Sequence, residues 1–191
     1  MAELELVKIE PWAPHLSAAP VTEQSGDSLT VSANGTQTCV GGWQATFSGA
    51  KPGEAYVVRW EVEHRGVRNL RDCLSASAYW GDLEPDESRR RNNTVLAWEF
   101  LLPEPIGQGR LQFSRCLTAP EGTDQLVLRS TFRWSKTGAS TWRTPEAVVT
   151  SIPGAPEPVR VAVVTGREGS RKGPFETIQD NIDFYAPLCE A

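Results

Sequence analysis

The sequence predicts a mainly β protein, an antiparallel jelly-roll-like β-sandwich followed by one strand and one helix of a truncated α/β domain. Three observations predict this. Apolar and polar residues alternate with a period of two between about residues 28 and 149, turns rich in Gly and Pro separate the alternating segments, and a Pro-rich segment follows them. Period-two alternation is typical of strands with one face in a core. We therefore expect a sandwich over residues 1–152, a linker over 153–158 and the start of a second domain over 159–191.

The first half of the sandwich contains strands with a clear inward face. The segments are SLTVSA, WQATFS, YVVRWEVE and LSASAYW. Tyr79 falls on the side opposite to Trp80, so we expect it to be exposed. The residues predicted to face inward are Leu29, Val31, Trp43, Phe47, Tyr56, Val58, Trp60, Val62, Leu74, Ala76, Ala78 and Trp80.

The second half continues with VLAWEFLL, RLQFSRCL and QLVLRSTFRW, and Arg115 breaks its alternation. An immunoglobulin-like sandwich would share these signals, and the jelly roll is favoured because no Cys…Trp…Cys spacing stands out. The residues predicted to face inward are Leu96, Trp98, Phe100, Leu102, Leu111, Phe113, Leu117, Leu126, Leu128, Phe132 and Trp134.

The chain end carries a different pattern. Residues 159–164 crowd valines without polar alternation, as in a strand buried on both faces. Apolar residues then recur at helical spacing at Phe175, Ile178, Ile182, Tyr185 and Cys189. One strand and one helix cannot bury a core, so we expect the rest of this second domain to be missing from the chain.

Charge and composition argue against several classes of protein. The net charge is −5 and the pI is about 5.2, which argues against a chain-wide nucleic-acid footprint. No apolar run approaches the roughly 20 residues that span a bilayer, and the N-terminus lacks the apolar core of a signal peptide. We expect a cytoplasmic protein, or an extracytoplasmic one if the chain was trimmed from a precursor.

The four cysteines are widely spaced, at Cys39, Cys73, Cys116 and Cys189. Zinc sites usually show closely spaced ligand pairs, so we expect no metal and no other cofactor. The first three form either one disulfide or free thiols, depending on the redox compartment.

Residues 159–164 and the run NIDFYAPLCE, at Asn181–Glu190 by number, carry a family resemblance. They resemble the first strand and first helix of the carbon–nitrogen hydrolase (nitrilase-like) superfamily. The resemblance implies a Glu, a Lys and a nucleophilic Cys, all beyond the segment present here. No catalytic residue is therefore assigned, Cys189 is expected to pack, and the main expected partner is the missing catalytic domain of a parent hydrolase.

The sandwich more loosely resembles jelly-roll carbohydrate-binding and galactose-binding-like modules. The residues that carry this are Gly42-Trp43-Gln44, the run KPGEAY at 51–56 and the run APEGT at 119–123. The resemblance implies a carbohydrate ligand. Because sugars stack on exposed aromatic rings, the candidate ligand-binding residues are Tyr79, Trp142 and the adjacent Arg143.

The sequence thus favours a non-catalytic N-terminal module of a carbon–nitrogen hydrolase. Two alternatives remain open. One is a carbohydrate-binding module that binds glycan on exposed aromatics. The other is a structural or oligomerisation domain, which would present an apolar face around Val95, Ala97 and Leu101 and form a homo-oligomer.

Overall fold

The computed structural model describes residues 3–81 and 95–151. The charged segment 82–94 and the predicted linker, strand and helix beyond residue 152 lie outside the described residues. The predicted domain division therefore stays a prediction.

The described chain forms twelve strands, one short 3-10 turn at Leu16–Ala18 and one single-turn helix, α1, at Leu70–Cys73. Gly- and Pro-containing turns separate many of the strands, as their chemistry predicts. The strands are β1 (Glu5–Trp12), β2 (Val21–Ser25), β3 (Ser28–Ser32), β4 (Val40–Ser48), β5 (Ala55–Arg65), β6 (Leu74–Gly81), β7 (Val95–Phe100), β8 (Leu102–Gly107), β9 (Arg110–Thr118), β10 (Gln125–Arg133), β11 (Ala139–Trp142) and β12 (Glu146–Thr150).

The strands form two sheets. One has five strands in the order β1-β4-β10-β6-β7, and the other has seven in the order β2-β3-β11-β5-β9-β8, with β12 also paired to β5. Every strand pair in the described part is antiparallel. The predicted antiparallel β-sandwich is therefore confirmed.

The core lies between the sheets and is rich in aromatic residues. Trp60, Trp142 and Phe113 come from the seven-stranded sheet, with ring centroids 5.2 Å apart for Trp60–Trp142 and 5.3 Å for Phe113–Trp142. The inward faces predicted for β3 to β6 are confirmed, since Trp43, Trp60 and their neighbours are buried. Buried aromatic and β-branched residues hold the two sheets together.

The segment VLAWEFLL departs from its prediction. It is not one strand, because β7 ends at Phe100 and β8, in the other sheet, begins at Leu102. Leu101 is the crossing point, where it is buried and donates its N–H to the Ala76 carbonyl at 2.9 Å. The chain therefore turns a corner of the sandwich at this residue.

The faces of β7 are also inverted relative to the prediction. Leu96, Trp98 and Phe100 are about half exposed, and Leu102 is exposed as well. Their assignment to the core is therefore wrong. Both sides of this segment are apolar, so alternation shows only that the two sets lie opposite each other and does not show which set is inside.

The irregular position of Arg115 is explained by its partners. Alternation along β9 places Arg115 on the same side of the strand as the buried Phe113 and Leu117. Its guanidinium forms an ion pair with Glu99 of β7. Its Nη1 also donates to the Phe100 carbonyl at 3.0 Å. The guanidinium thus links the two sheets beside the crossing at Leu101.

Strand β8 forms one edge of the seven-stranded sheet, and each of its residues is exposed. It pairs with β9 on one side and contains two prolines, Pro103 and Pro105. Prolines are typical of edge strands because they cannot donate to a further ladder.

Of the two alternatives for the cysteines, the described part of the chain has free thiols. Cys39 and Cys73 are buried and Cys116 is exposed. Burial raises the pKa of the Cys39 thiol, because a thiolate is poorly solvated there.

Candidate functional site

Aromatic side chains gather on the solvent face of the five-stranded sheet. Tyr79 of β6 lies directly across from Trp98 of β7. Their rings are close to parallel, at 22°, with centroids 6.4 Å apart. Phe100, two residues further on the same face, meets Trp98 edge to face at 5.0 Å. Tyr79 lies on the outward side, as the sequence predicts, but it is half-buried and not fully exposed.

These rings border a groove of about 510 Å³. Aromatic residues of the two edge strands β1 and β7 flank the hydroxyls of Ser75, Ser77 and Thr131 on the strands between them. We call this the aromatic groove. The described residues that line it are Trp12, Val40, Ser75, Ser77, Tyr79, Val95, Trp98, Phe100, Thr131, Arg133 and Trp134.

Trp134 lies at one end of the groove, although alternation along β10 places it in the core. The strand ends at Arg133, and Trp134 has a left-handed backbone with φ of 57°. Its side chain is 52% exposed, so the inward assignment is wrong. A non-glycine residue at positive φ is uncommon. Such strain tends to persist at functional positions, where surrounding contacts hold it.

Two arginines of β10 lie on the same face. The guanidinium of Arg133 lies 4.3 Å from the Trp134 ring centroid. The guanidinium of Arg129 lies 4.8 Å from the Trp12 ring and 5.7 Å from the Tyr79 ring. These distances are typical of cation–π contacts.

Arg129 is the more deeply placed of the two. Its Nε donates to Gln44 Oε1 at 2.7 Å. Burial lowers its pKa, and the nearby Tyr79 and Glu10 oppose that shift. Because an arginine pKa lies far above neutrality, the side chain stays a cation.

Trp12 is fixed by the backbone beneath it. Its Nε1 donates to the Ser130 carbonyl at 2.8 Å, and it pairs in register with Gly42. A Cβ on Gly42 would lie 2.3 Å from that same carbonyl oxygen. Glycine is therefore required here for the strands to approach and for Trp12 to reach its acceptor.

The other two predicted ligand-binding residues lie elsewhere. Trp142 is fully buried, with Nε1 at 3.1 Å from Ser140 Oγ, so its expected exposure is wrong. The reason is that β11 lies inside the seven-stranded sheet between β3 and β5, where outward and inward residues alternate. A buried ring presents no face to a sugar.

Arg143 is exposed, but on the seven-stranded sheet. It borders a shallow polar pocket of about 240 Å³. The structure therefore brings Tyr79 together with Trp98, Phe100 and Trp134, and not with Trp142 or Arg143. The described residues lining this pocket are Arg59, Glu61, Gln112, Arg143, Thr144 and Glu146.

Metal-binding clusters and membrane-spanning helices are both absent from the described residues. No group of three or more His, Cys, Asp or Glu side chains is placed to hold a metal ion in residues 3–81 and 95–151. Within the same ranges no helix is long and apolar enough to cross a membrane.

Sequence comparison identifies no relative, since no family model and no curated protein matches the chain. Solved structures do match. The enzymatically active domain of bacteriophage CBA120 tailspike protein 4 matches 75% of this chain with 10% identity and a TM-score of 0.50. The chain spans only 19% of that tailspike chain.

Two further matches carry lower scores. A CBM4 structure matches 74% of this chain and 86% of its own, with 9% identity and a TM-score of 0.42. The CBM22-1–GH10 modules of Clostridium thermocellum xylanase 10B, complexed with xylohexaose, match 81% of this chain and 27% of theirs, with 11% identity and a TM-score of 0.44.

At about 10% identity, the likeness to the tailspike domain shows the fold alone. The class that fold and site define is an antiparallel β-sandwich with an aromatic groove on one sheet. None of these matches supports the resemblance of residues 159–191 to carbon–nitrogen hydrolases, and that resemblance stays a prediction.

Proposed function

We propose that the sandwich is a non-catalytic carbohydrate-binding module and that a glycan chain lies in the aromatic groove. The observation that carries this proposal is the stacked ring pair of the half-buried Tyr79 and the exposed Trp98 beside a floor of hydroxyl groups. Trp98 is 53% exposed, which is unusual for so large an apolar side chain unless a partner covers it.

The groove offers both kinds of contact that a sugar needs. The apolar face of a pyranose ring stacks on an aromatic ring, and its hydroxyls bond to a few placed polar groups. Trp98 and Tyr79 supply the rings, and Ser75, Ser77 and Thr131 supply hydroxyls. The groove volume lies within the roughly 300–1,000 Å³ typical of small-ligand sites.

The lining also favours binding without hydrolysis. Glycoside hydrolysis uses a pair of carboxylic acids across the bond that breaks. None of the described residues that line the groove is an Asp or a Glu. We therefore assign it a role in holding a glycan and not in cleaving it.

Glycan-panel binding followed by calorimetry tests the proposal. Trp98→Ala removes the most exposed ring of the Tyr79–Trp98 pair, and we expect at least a tenfold loss of affinity for the best glycan of the panel. Leu96→Ala is the matched control, because Leu96 lies on the same strand, is 52% exposed as Trp98 is 53% exposed, and does not line the groove. A protein that binds no glycan, or a Trp98→Ala variant that binds as wild type does, would contradict the proposal.

A second candidate function is an oligomerisation surface, which the sequence places around Val95, Ala97 and Leu101. That placement is wrong, because Leu101 is buried and the exposed apolar residues of β7 are Leu96, Trp98 and Phe100. If this face joins two copies, sedimentation shows a dimer that Leu96→Ala and Trp98→Ala both weaken. A monomer that binds glycan leaves the first proposal standing.

The link to a parent hydrolase rests on residues 159–191 alone. On that sequence resemblance we propose that the sandwich is an accessory module of a carbon–nitrogen hydrolase. A longer open reading frame with a Glu, a Lys and a Cys after Ala191, in the order of the family, would support it.

A further inference from the structure

We propose that the aromatic groove selects an acidic glycan that carries uronate carboxylates, and that Arg133 binds one of these carboxylates. This inference rests on the proposed glycan binding and adds the chemical class of the sugar. The two arginines on the groove face of β10 are the residues that point to it.

Arg133 is held in a fixed orientation at the groove. Its Nε donates to the Asp72 carbonyl at 2.8 Å, and its guanidinium lies 4.3 Å from the Trp134 ring. With Nε engaged, the Nη1 and Nη2 edge remains for a ligand. Two parallel N–H groups on that edge match the two oxygens of a planar carboxylate.

Arg133 has no ion-pair partner among the described residues. The ion pairs among the described residues join Lys8 to Glu10, Arg110 to Glu61 and Arg115 to Glu99. Arg133 takes part in none of these, whereas the charge of Arg129 is partly offset by the nearby Glu10 carboxylate. A half-buried cation without a counter-ion among the described residues favours an anionic ligand.

The second cation extends the positive surface along the strand. Arg129 lies four residues before Arg133 on the same face, which corresponds to about 13 Å along a strand. It is held between the Trp12 and Tyr79 rings. A polymer with repeated carboxylates would place a negative charge near both positions, whereas a neutral glycan leaves Arg133 without a counter-ion among the described residues.

The attraction has to be local, because the chain as a whole carries a net charge of −5. A polyanion approaching the protein meets no general positive field. Removal of Arg133 is therefore expected to have a large effect on acidic glycans and little effect on neutral ones.

Polygalacturonate and its fully methyl-esterified form are the matched probes, because esterification removes the charge and keeps the backbone. With the full chain, we expect wild type to bind the acid form at least tenfold more tightly. Arg133→Ala should remove that preference and leave affinity for the ester unchanged, and Arg133→Lys should restore only part of it. Arg59→Ala, an exposed arginine on the other sheet, is the charge control and should bind as wild type does.

Three other outcomes would contradict the inference or the proposed function. Equal binding of acid and ester by wild type overturns the inference and leaves the proposed glycan binding intact. Tighter binding of dextran sulfate with no preference for polygalacturonate over its ester also overturns it. Absence of binding to every glycan overturns the proposed function itself. Thermal unfolding of each variant, with Arg133→Gln as a second neutral substitution, separates loss of binding from loss of folding.

Discussion

The two outer faces of the sandwich differ sharply although their strands follow the same alternation. The five-stranded sheet presents Tyr79, Trp98 and Phe100 to solvent. The seven-stranded sheet presents charges, with Arg110 paired to Glu61 at 2.7 Å and a polar pocket next to them. Residues that face the core are constrained by packing, whereas residues on the outer faces can vary without loss of the fold and can therefore form a binding site. Among the described residues, large exposed rings occur on the five-stranded sheet and not on the outer face of the other sheet, and this favours the five-stranded sheet as the face that binds a ligand.

Truncation of one core tryptophan and one groove tryptophan tests this comparison most strongly. Trp142→Ala removes a buried ring between Trp60 and Phe113 and is expected to lower the free energy of unfolding by about 3–5 kcal/mol. Trp98→Ala, on the exposed face, is expected to lower it by less than about 1 kcal/mol. Urea unfolding measures both. Similar losses for the two variants would refute the distinction between core and groove tryptophans.

The positive φ of Trp134 on the aromatic face is tested by comparing an alanine with a glycine at this position. Trp134→Ala and Trp134→Gly remove the same ring, but only glycine accepts the positive φ without strain. We expect the glycine variant to be more stable than the alanine variant by about 1 kcal/mol. Both variants should bind glycan more weakly than wild type. An alanine variant as stable as the glycine variant would show that the position carries no strain.

Substitutions on the charged outer face of the seven-stranded sheet should have the smallest effect on the free energy of unfolding. Arg110→Ala breaks the exposed pair with Glu61, and we expect a loss of about 0.5 kcal/mol that shrinks in concentrated salt. Arg59→Ala is the control, since Arg59 forms no ion pair with another described residue. Glycan binding should be unchanged in both variants. A loss of binding in Arg110→Ala would show that the ligand lies on the seven-stranded sheet instead.

Alternation predicts the fold well wherever one side of a strand is polar. In β6, Ala76, Ala78 and Trp80 alternate with Ser75, Ser77 and Tyr79, so the inward side and the outward placement of Tyr79 both follow from the sequence. Burial on one face and hydration on the other leave only one register that satisfies both.

The remainder of the site lies where that signal fails. In the sequence of β7, Val95 and Ala97 alternate with Leu96 and Trp98, and all four are apolar, so the sequence does not show which side meets water. At Trp134 the left-handed backbone ends the alternation one residue after the strand.

The two arginines of the groove face are an intermediate case. Arg129 and Arg133 alternate with the buried Leu128 and Phe132 on β10, so their outward position does follow from the sequence. Their closeness to Trp12, Tyr79 and Trp134 does not, because it depends on which strands pair and on the backbone turn after β10.

The two prolines of β8 have a consequence for self-association. They lie two residues apart, so both ring nitrogens point to the same side of the strand. The continuous pairing of residues 102–105 with β9, before the register shift that follows Pro105, indicates that this side faces away from β9. A strand from another copy that approached this border would find two donors missing from the ladder it needs. The two prolines therefore make β8 a poor template for pairing with a further strand.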